Sequence, residues 1–289
     1  MSNAPAGWPV DLVERARGIS AGTAEIPTPR DAATVVLLRD GVDGLQVYLI
    51  RRVTSMAFAA GATVFPGGSV DLRDAHLPDQ YWSGPHPKEW TEPLDAAVDL
   101  ARALVCAAVR ETFEESGVML AGPTPDSVVA DTLDETWEVD RLALIDRSLA
   151  FAELLERRSL VLRADLLRSW AHWITPEIET RRFDTRFFVA ALPSGQRPRD
   201  VGGEADQVMW LRPGDAVAAA QRGDIALMPP TMATLTELSA YDSVDAVLQA
   251  ATARELAPIL PKVLVEEPQT PDGAPQLRFF LPGDDGYPG

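Results

Sequence analysis

Residues 110–118 read Arg110-Glu111-Thr112-Phe113-Glu114-Glu115-Ser116-Gly117-Val118, three acids and a base set just ahead of a glycine. They close a stretch from about Thr91 in which Pro93 sits in a first helical turn and apolar residues recur at 94, 97, 98, 101, 104, 105, 108 and 109. That spacing predicts one long helix, ended by Gly117. Acids at i,i+3 and i,i+4 repel, and a helix C-terminus already carries partial negative charge, so the run is locally unfavourable. A charge run on a helix is ordinarily a solvated face. Here, however, Glu111 and Glu115 lie seven and eleven residues beyond Leu104. At about 100° per residue both project within about 20° of it, on the apolar stripe. Inward carboxylates must be paired, protonated or bound to a cation, and hard divalent ions such as Mg²⁺ take oxygen ligands of this kind.

Upstream, Ala32 to Arg39 is an apolar run, Asp40 to Gly44 carries turn chemistry, and Leu45 to Arg52 is again apolar until Arg51-Arg52, a pattern that predicts a β-hairpin. Ala62-Thr63-Val64-Phe65 then predicts a strand stopped by Pro66-Gly67-Gly68. The Pro-, Gly- and His-containing stretch after residue 70 reads as an irregular surface insertion, about 75–92. A second helical region is expected over about 125–170, although Ala171 to Thr175, Arg181 to Leu192 and Gln207 to Leu211 suit strands. Helices are expected at Asp215 to Arg222 and from Pro229-Pro230, and a short helical turn around Val10 to Arg17. The organisation expected is an N-terminal arm (1–29), a main domain (30–240) and a C-terminal extension (241–289) packing on it.

The chain has 289 residues and a net charge of −17 from 26 basic and 43 acidic side chains, a field that opposes nucleic acid and anionic membrane surfaces. An anionic substrate therefore needs a local reversal of charge, and a divalent cation on clustered carboxylates supplies one. Cys106 is the sole cysteine, which excludes a disulfide framework and points to a reducing, cytoplasmic setting. No signal-like segment opens the sequence, and the longest aliphatic run near the start falls far short of the roughly 20 residues of a membrane span.

Phe65-Pro66-Gly67-Gly68 followed by Arg110-Glu111-x-x-Glu114-Glu115-x-Gly117-Val118 resembles the signature of the Nudix hydrolase superfamily, G-x5-E-x7-R-E-U-x-E-E-x-G-U. The second half matches at every charged and glycine position, with Thr112 where an aliphatic residue is usual. The first half is interrupted: Gly68 to Arg110 spans 42 positions against 14 in the motif, an insertion of about 28 residues. Counted forward from Gly68 the early glutamate falls at Asp74; counted back from Arg110 it falls at Arg102. Such an interrupted box resembles a subgroup that includes coenzyme A diphosphatase-like proteins. Arg52 ahead of Gly61-x3-Phe65-Pro66-Gly67-Gly68 is similar to part of that subgroup's upstream motif, whose second arginine would fall at Ala57.

The resemblance covers roughly residues 30–240 and implies an α/β fold, the Nudix α/β/α sandwich with a mixed sheet. It implies metal binding (Mg²⁺ or Mn²⁺) by Glu111, Glu114 and Glu115 with the Gly67 carbonyl, and Arg110 orienting the acids. Arg52, Gly67 and Gly68 are the expected substrate contacts. Glu204, six residues before Trp210, is the candidate for a further ligand or the general base. The implied reaction is attack of an activated water on a diphosphate linking a nucleoside to another group, with coenzyme A or an acyl derivative as first substrate. ADP-ribose, NADH and dinucleoside polyphosphates are alternatives, as are a non-catalytic nucleotide sensor of the same fold and a helical interaction protein. The resemblance is also compatible with a homodimer. Arg182 and Arg186 are read as surface salt-bridge residues or, alternatively, phosphate contacts. His76, His86 and His172 lack metal-ligand spacing, and Cys106 reads as a small buried side chain.

Overall fold

The computed structural model describes residues 10–52, 61–199, 205–268 and 274–288. They fall into two compact units, one of residues 32–171 and 186–256, the other of 1–31, 172–185 and 257–289.

In the larger unit Arg30–Gly41 and Gly44–Arg52 form the expected hairpin, in register from Leu38 opposite Val47 to Gly41 opposite Gly44. Gly44 holds a φ of 108°, a conformation that a residue with a Cβ rarely adopts. The same strand edge continues its pairing with Ala62–Val64, while its other edge takes Ala205–Leu211 antiparallel. Ala226–Leu227 extends the sheet in parallel, which makes it mixed. Phe183–Ala191 and Leu167–Ile174 follow on the far side of Arg30–Gly41. Val35, Val36, Leu37 and Leu38 are all fully buried, so this strand is covered on both faces, which is why it reads as a continuous apolar run. Full burial of each such side chain contributes about 1.5–3 kcal/mol.

Across one face of the sheet lies the helix Val98–Ser116, whose Leu104, Ala108 and Phe113 share a core with Val35, Leu37, Tyr48 and Ile50. Small residues at 101, 103, 107 and 108 let neighbouring backbone come close. Gly117 ends the helix as expected, at φ 72°, with its N–H donated to the Phe113 carbonyl. The start differs from expectation. Thr91–Leu94 is a separate turn, and Asp95, at φ 46°, breaks the chain before Val98. The buried Arg186 guanidinium fixes that break by donating to the carbonyls of Leu94 (2.9 Å) and Asp95 (3.2 Å).

The stretch after residue 70 is more ordered than expected, with short 3₁₀ turns at Leu72–His76, Asp79–Tyr81 and Pro87–Trp90, the first and last capped by the Asp71 and His86 side chains. Arg102 of the long helix ties it down through the Leu77 carbonyl and Asp79. In 125–170 only Glu135–Ile145 and Phe151–Arg158 are α-helical. Val161–Arg163 is a strand, pairing with Trp82–Ser83 and Ala121–Gly122, and Leu167 already begins a strand of the main sheet. The interleaved acids of that stretch belong to the two short helices, whereas its last aliphatic residues are strand interior. Helices at Pro213–Arg222 and Pro229–Leu238 stand where the sequence placed them, followed by Val244–Thr252.

In the smaller unit the helix Val10–Ser20 packs Val13 and Ala16 against Ile178 and Leu277, beside the hairpin of Lys262–Glu266 with Gln276–Phe280. Arg182 is buried there and donates to the carbonyls of Thr175 and Pro27. Neither Arg182 nor Arg186 is the surface residue expected; each desolvated guanidinium satisfies backbone carbonyls instead. Cys106 is fully buried, which pushes its thiol pKa well up. No helix among the described residues is long and apolar enough to cross a membrane.

Candidate active site

The last two turns of Val98–Ser116 run beneath Gly67–Ser69, a short strand that pairs antiparallel with residues 32–34. Close approach requires glycine twice. A Cβ on Gly67 would lie 2.5 Å from Thr34 Oγ1 and 2.6 Å from the Ala33 carbonyl; one on Gly68 would lie 2.5 Å from the Glu111 carboxyl. The Gly67 N–H donates to Glu115 Oε2 at 2.7 Å, and Arg110 Nη2 donates to the Ser69 carbonyl at 3.0 Å.

Arg110 is the hub. Its Nη1 donates to Glu111 Oε1 (2.6 Å) and Glu114 Oε1 (3.0 Å), and its Nη2 to Asp74 Oδ2 (3.0 Å). Asp74 is brought there by the Leu72–His76 turn, where it also accepts the Asp71 N–H at 3.0 Å. The forward count from Gly68 thus lands on the arginine of the second half of the motif, across the insertion. Arg102, the backward count, instead anchors the insertion.

Three buried carboxylates face one guanidinium, an imbalance that raises their proton affinity. Burial raises the pKa of Glu111 to about 7, against the charge of Arg110 and with the fields of Glu114 and Asp74 adding to the rise. Burial raises Glu114 and Asp74 likewise, again opposed by Arg110. For Arg110 burial works against the charge, but Glu111, Asp74 and Glu114 together outweigh it and hold the guanidinium protonated. Glu114, which the helical wheel put outside the apolar stripe, is as buried as Glu111, while Glu115 is only half-buried. The wheel describes one sheet-facing stripe; here the insertions cover the helix on its other sides.

The carbonyl end of the helix is held from outside. Arg141 Nη1 donates to the Glu114 carbonyl (2.7 Å), the Arg199 N–H donates to the Ser116 carbonyl (2.9 Å), and Thr132 bonds the Gly117 carbonyl. Glu138 binds both guanidiniums, Arg141 at 2.6 Å and Arg199 at 2.8 Å. Sequence reasoning missed Arg141, Glu138 and Arg199; an i,i+3 Glu-Arg pair in a predicted helix was the only local trace of the first two.

Arg52 ends its strand half-buried, opposite Ala205, and Glu204 lies outside the described residues. Among the described residues no group of three or more His, Cys, Asp or Glu side chains stands arranged to hold a metal ion; Glu111 and Glu114 are held by Arg110, and Glu115 accepts from Gly67. The donor set nonetheless suits one: its oxygens are hard carboxylates, and the buried acids outnumber the cation that serves them.

A model of the NUDT19 Nudix domain matches residues 84–238. The chain belongs to the Nudix family. The crystal structure of a NUDIX hydrolase from Alicyclobacillus acidocaldarius superimposes with a TM-score of 0.66 at 30% identity, covering 78% of this chain and 97% of that one. The chain is 29% identical over 219 residues to putative nudix hydrolase 7 of Caenorhabditis elegans, covering 73% of its own length and 60% of that relative. It is 29% identical over 287 residues to human acyl-coenzyme A diphosphatase NUDT19, covering 85% of its own length and 73% of that protein. The family match covers the end of the first insertion, from residue 84, and the helices 135–158.

Proposed function

We propose that the chain is a metal-dependent Nudix diphosphatase acting on coenzyme A or an acyl-coenzyme A, with 3',5'-ADP and 4'-phosphopantetheine or its acyl form as products. The carrying observation is the buried set of Glu111 and Glu114 on Arg110, with Glu115 tied to the Gly67-Gly68 loop. The substrate is the finer step, and it rests on the relatives named acyl-coenzyme A diphosphatase.

Glu111, Glu114 and Glu115, with the Gly67 carbonyl, are the residues to hold Mg²⁺ or Mn²⁺. When bound, such an ion neutralises the diphosphate and acidifies a water. The chain's own share is positioning. Arg110 fixes the carboxylates, Gly67 and Gly68 let backbone approach the substrate, and Arg52 is the expected phosphate contact. Glu204 is the proposed general base or further ligand. The functional domain is taken as residues 30–240, with 1–29 as an arm and 241–289 as an extension, in a cytoplasmic protein that binds neither nucleic acid nor membrane and forms a homodimer.

The test is product detection with Mg²⁺ or Mn²⁺ against coenzyme A, acyl-coenzyme A, ADP-ribose, NADH and dinucleoside polyphosphates, for wild type and Glu115→Gln. Metal-dependent release of 3',5'-ADP, lowered at least about 100-fold by the substitution, is the expected result. Turnover of another compound alone overturns the substrate assignment. Metal and nucleotide binding without any turnover points to the sensor.

A further inference from the structure

The helix Val98–Ser116 carries the acids on its last two turns, the part of a helix least able to hold itself, because the final carbonyls have no partner further along it. Three acids set where the helix dipole is already negative add to the tendency to fray. The carbonyls are nonetheless engaged. That of Phe113 accepts the Gly117 N–H, that of Glu114 accepts Arg141 Nη1 at 2.7 Å, that of Ser116 accepts the Arg199 N–H at 2.9 Å, and that of Gly117 accepts Thr132. The two held at Glu114 and Ser116 bracket Glu115, whose carboxylate accepts the Gly67 N–H.

Arg141 brings a full positive charge to this end. It stands on the helix Glu135–Ile145, is 2% exposed, and is aimed by Glu138 one turn earlier. Nε donates to Glu138 Oε2 at 2.9 Å and Nη2 to Oε1 at 2.6 Å, so the fork is gripped on one edge while Nη1 meets the Glu114 carbonyl. Glu138 Oε2 also takes Arg199 Nη1 at 2.8 Å, and Arg199 Nη2 bonds the Thr132 carbonyl. One carboxylate therefore joins the groups that hold Glu114, Ser116 and Gly117. Trp137 packs edge to face on Phe113, centroids 5.7 Å apart, and seats the same helix against the site helix.

We propose that Arg141, aimed by Glu138, is a positioning residue for the metal-dependent reaction: it fixes the last helical turn so that the Glu114 and Glu115 carboxylates converge on one cation. It acts through the Glu114 backbone and not by touching substrate. This rests on the diphosphatase reading above.

The test compares Arg141→Ala, Arg141→Lys and Glu138→Gln with Arg158→Ala. Arg158 holds Asp140 at 2.5 Å and lies 3.8 Å over Trp137, so its loss loosens the same helix without touching the clamp. Mg²⁺ titration by calorimetry should give a Kd raised about tenfold in Arg141→Ala, partly recovered in Arg141→Lys, raised at least about threefold in Glu138→Gln, and within twofold of wild type in Arg158→Ala. In metal-free Arg141→Ala, amide exchange over residues 113–117 should quicken about tenfold. With coenzyme A, kcat should fall about tenfold while KM stays within twofold. A Mg²⁺ Kd within twofold of wild type in Arg141→Ala overturns the proposal, as does an equal rise in Arg158→Ala or the absence of Mg²⁺ and Mn²⁺ binding by wild type. If Arg141→Ala does not fold, Glu138→Gln decides on the same readouts. If wild type binds the ion but hydrolyses none of the compounds tested, the diphosphatase reading fails, and the metal titration and amide exchange still decide for Arg141.

Discussion

Asp74 and Arg110 stand 36 positions apart, yet the Asp74 carboxylate accepts Arg110 Nη2 at 3.0 Å and Nε at 3.3 Å. The insertion that interrupts the motif ends on the motif's own arginine. Its capped 3₁₀ turn does in space what a short spacing would do along the chain.

Removing the hub should destabilise the fold. Arg110→Ala leaves Asp74, Glu111 and Glu114 buried without their counter-charge, an expected loss of about 3–5 kcal/mol at neutral pH. Asp74→Asn should cost less, about 1–3 kcal/mol, because Arg110 keeps two glutamates. Urea unfolding of the two variants orders these losses, and the reverse order would remove Arg110 from the centre of the cluster.

Glu111 gives the metal-free protein a pH dependence of definite sign. Its folded pKa of about 7 lies above its unfolded value near 4.5, so the folded state binds the proton more tightly. Stability contributed this way is complete below the unfolded pKa and is lost as pH rises through about 7, by at most about 1.4 kcal/mol per pH unit. Metal-free protein should therefore melt higher at pH 5.5 than at pH 7.5 by this contribution, and Glu111→Gln should flatten the difference. An unchanged slope in the variant would assign it to other groups.

Divalent metal should act in the opposite sense. An ion that binds only the folded, deprotonated site stabilises by about 2.7 kcal/mol at one hundred times its Kd. Mg²⁺ or Mn²⁺ should thus raise the melting temperature more at pH 7.5 than at pH 5.5, and Glu111→Gln should remove most of the gain. A shift equal at both pH values would place the ion elsewhere.

The glycine pair separates site from scaffold. Gly67→Ala drives a Cβ into Thr34 and the Ala33 carbonyl and should cost about 1–3 kcal/mol of stability. Gly68→Ala meets the Glu111 carboxyl instead, so metal-dependent stabilisation and turnover should fall first. Thermal shift with and without metal compares the two directly.

Arg186→Met should lower stability by about 1–3 kcal/mol, because the buried Leu94 carbonyl and the part-buried Asp95 carbonyl at the chain break lose their donor. Among active preparations KM should stay at the wild-type value, and a selective rise in KM would return Arg186 to the substrate site.

The sequence by itself determined the parts whose cause is local. Apolar spacing and Gly117 give the helix end that carries Glu111, Glu114 and Glu115, turn residues give the hairpin, and Pro66-Gly67-Gly68 gives the backbone-exposed loop above them. The family's motif was legible for the same reason, since its second half lies within nine consecutive residues. Tertiary structure alone decided that Asp74 rather than Arg102 reaches Arg110, that Glu114 is buried off the apolar stripe, and that Arg186 and Arg182 serve carbonyls. Helical and strand periodicity report one residue's neighbours along its own element, whereas these relationships depend on closing long loops and covering a helix from several sides, which no local pattern encodes.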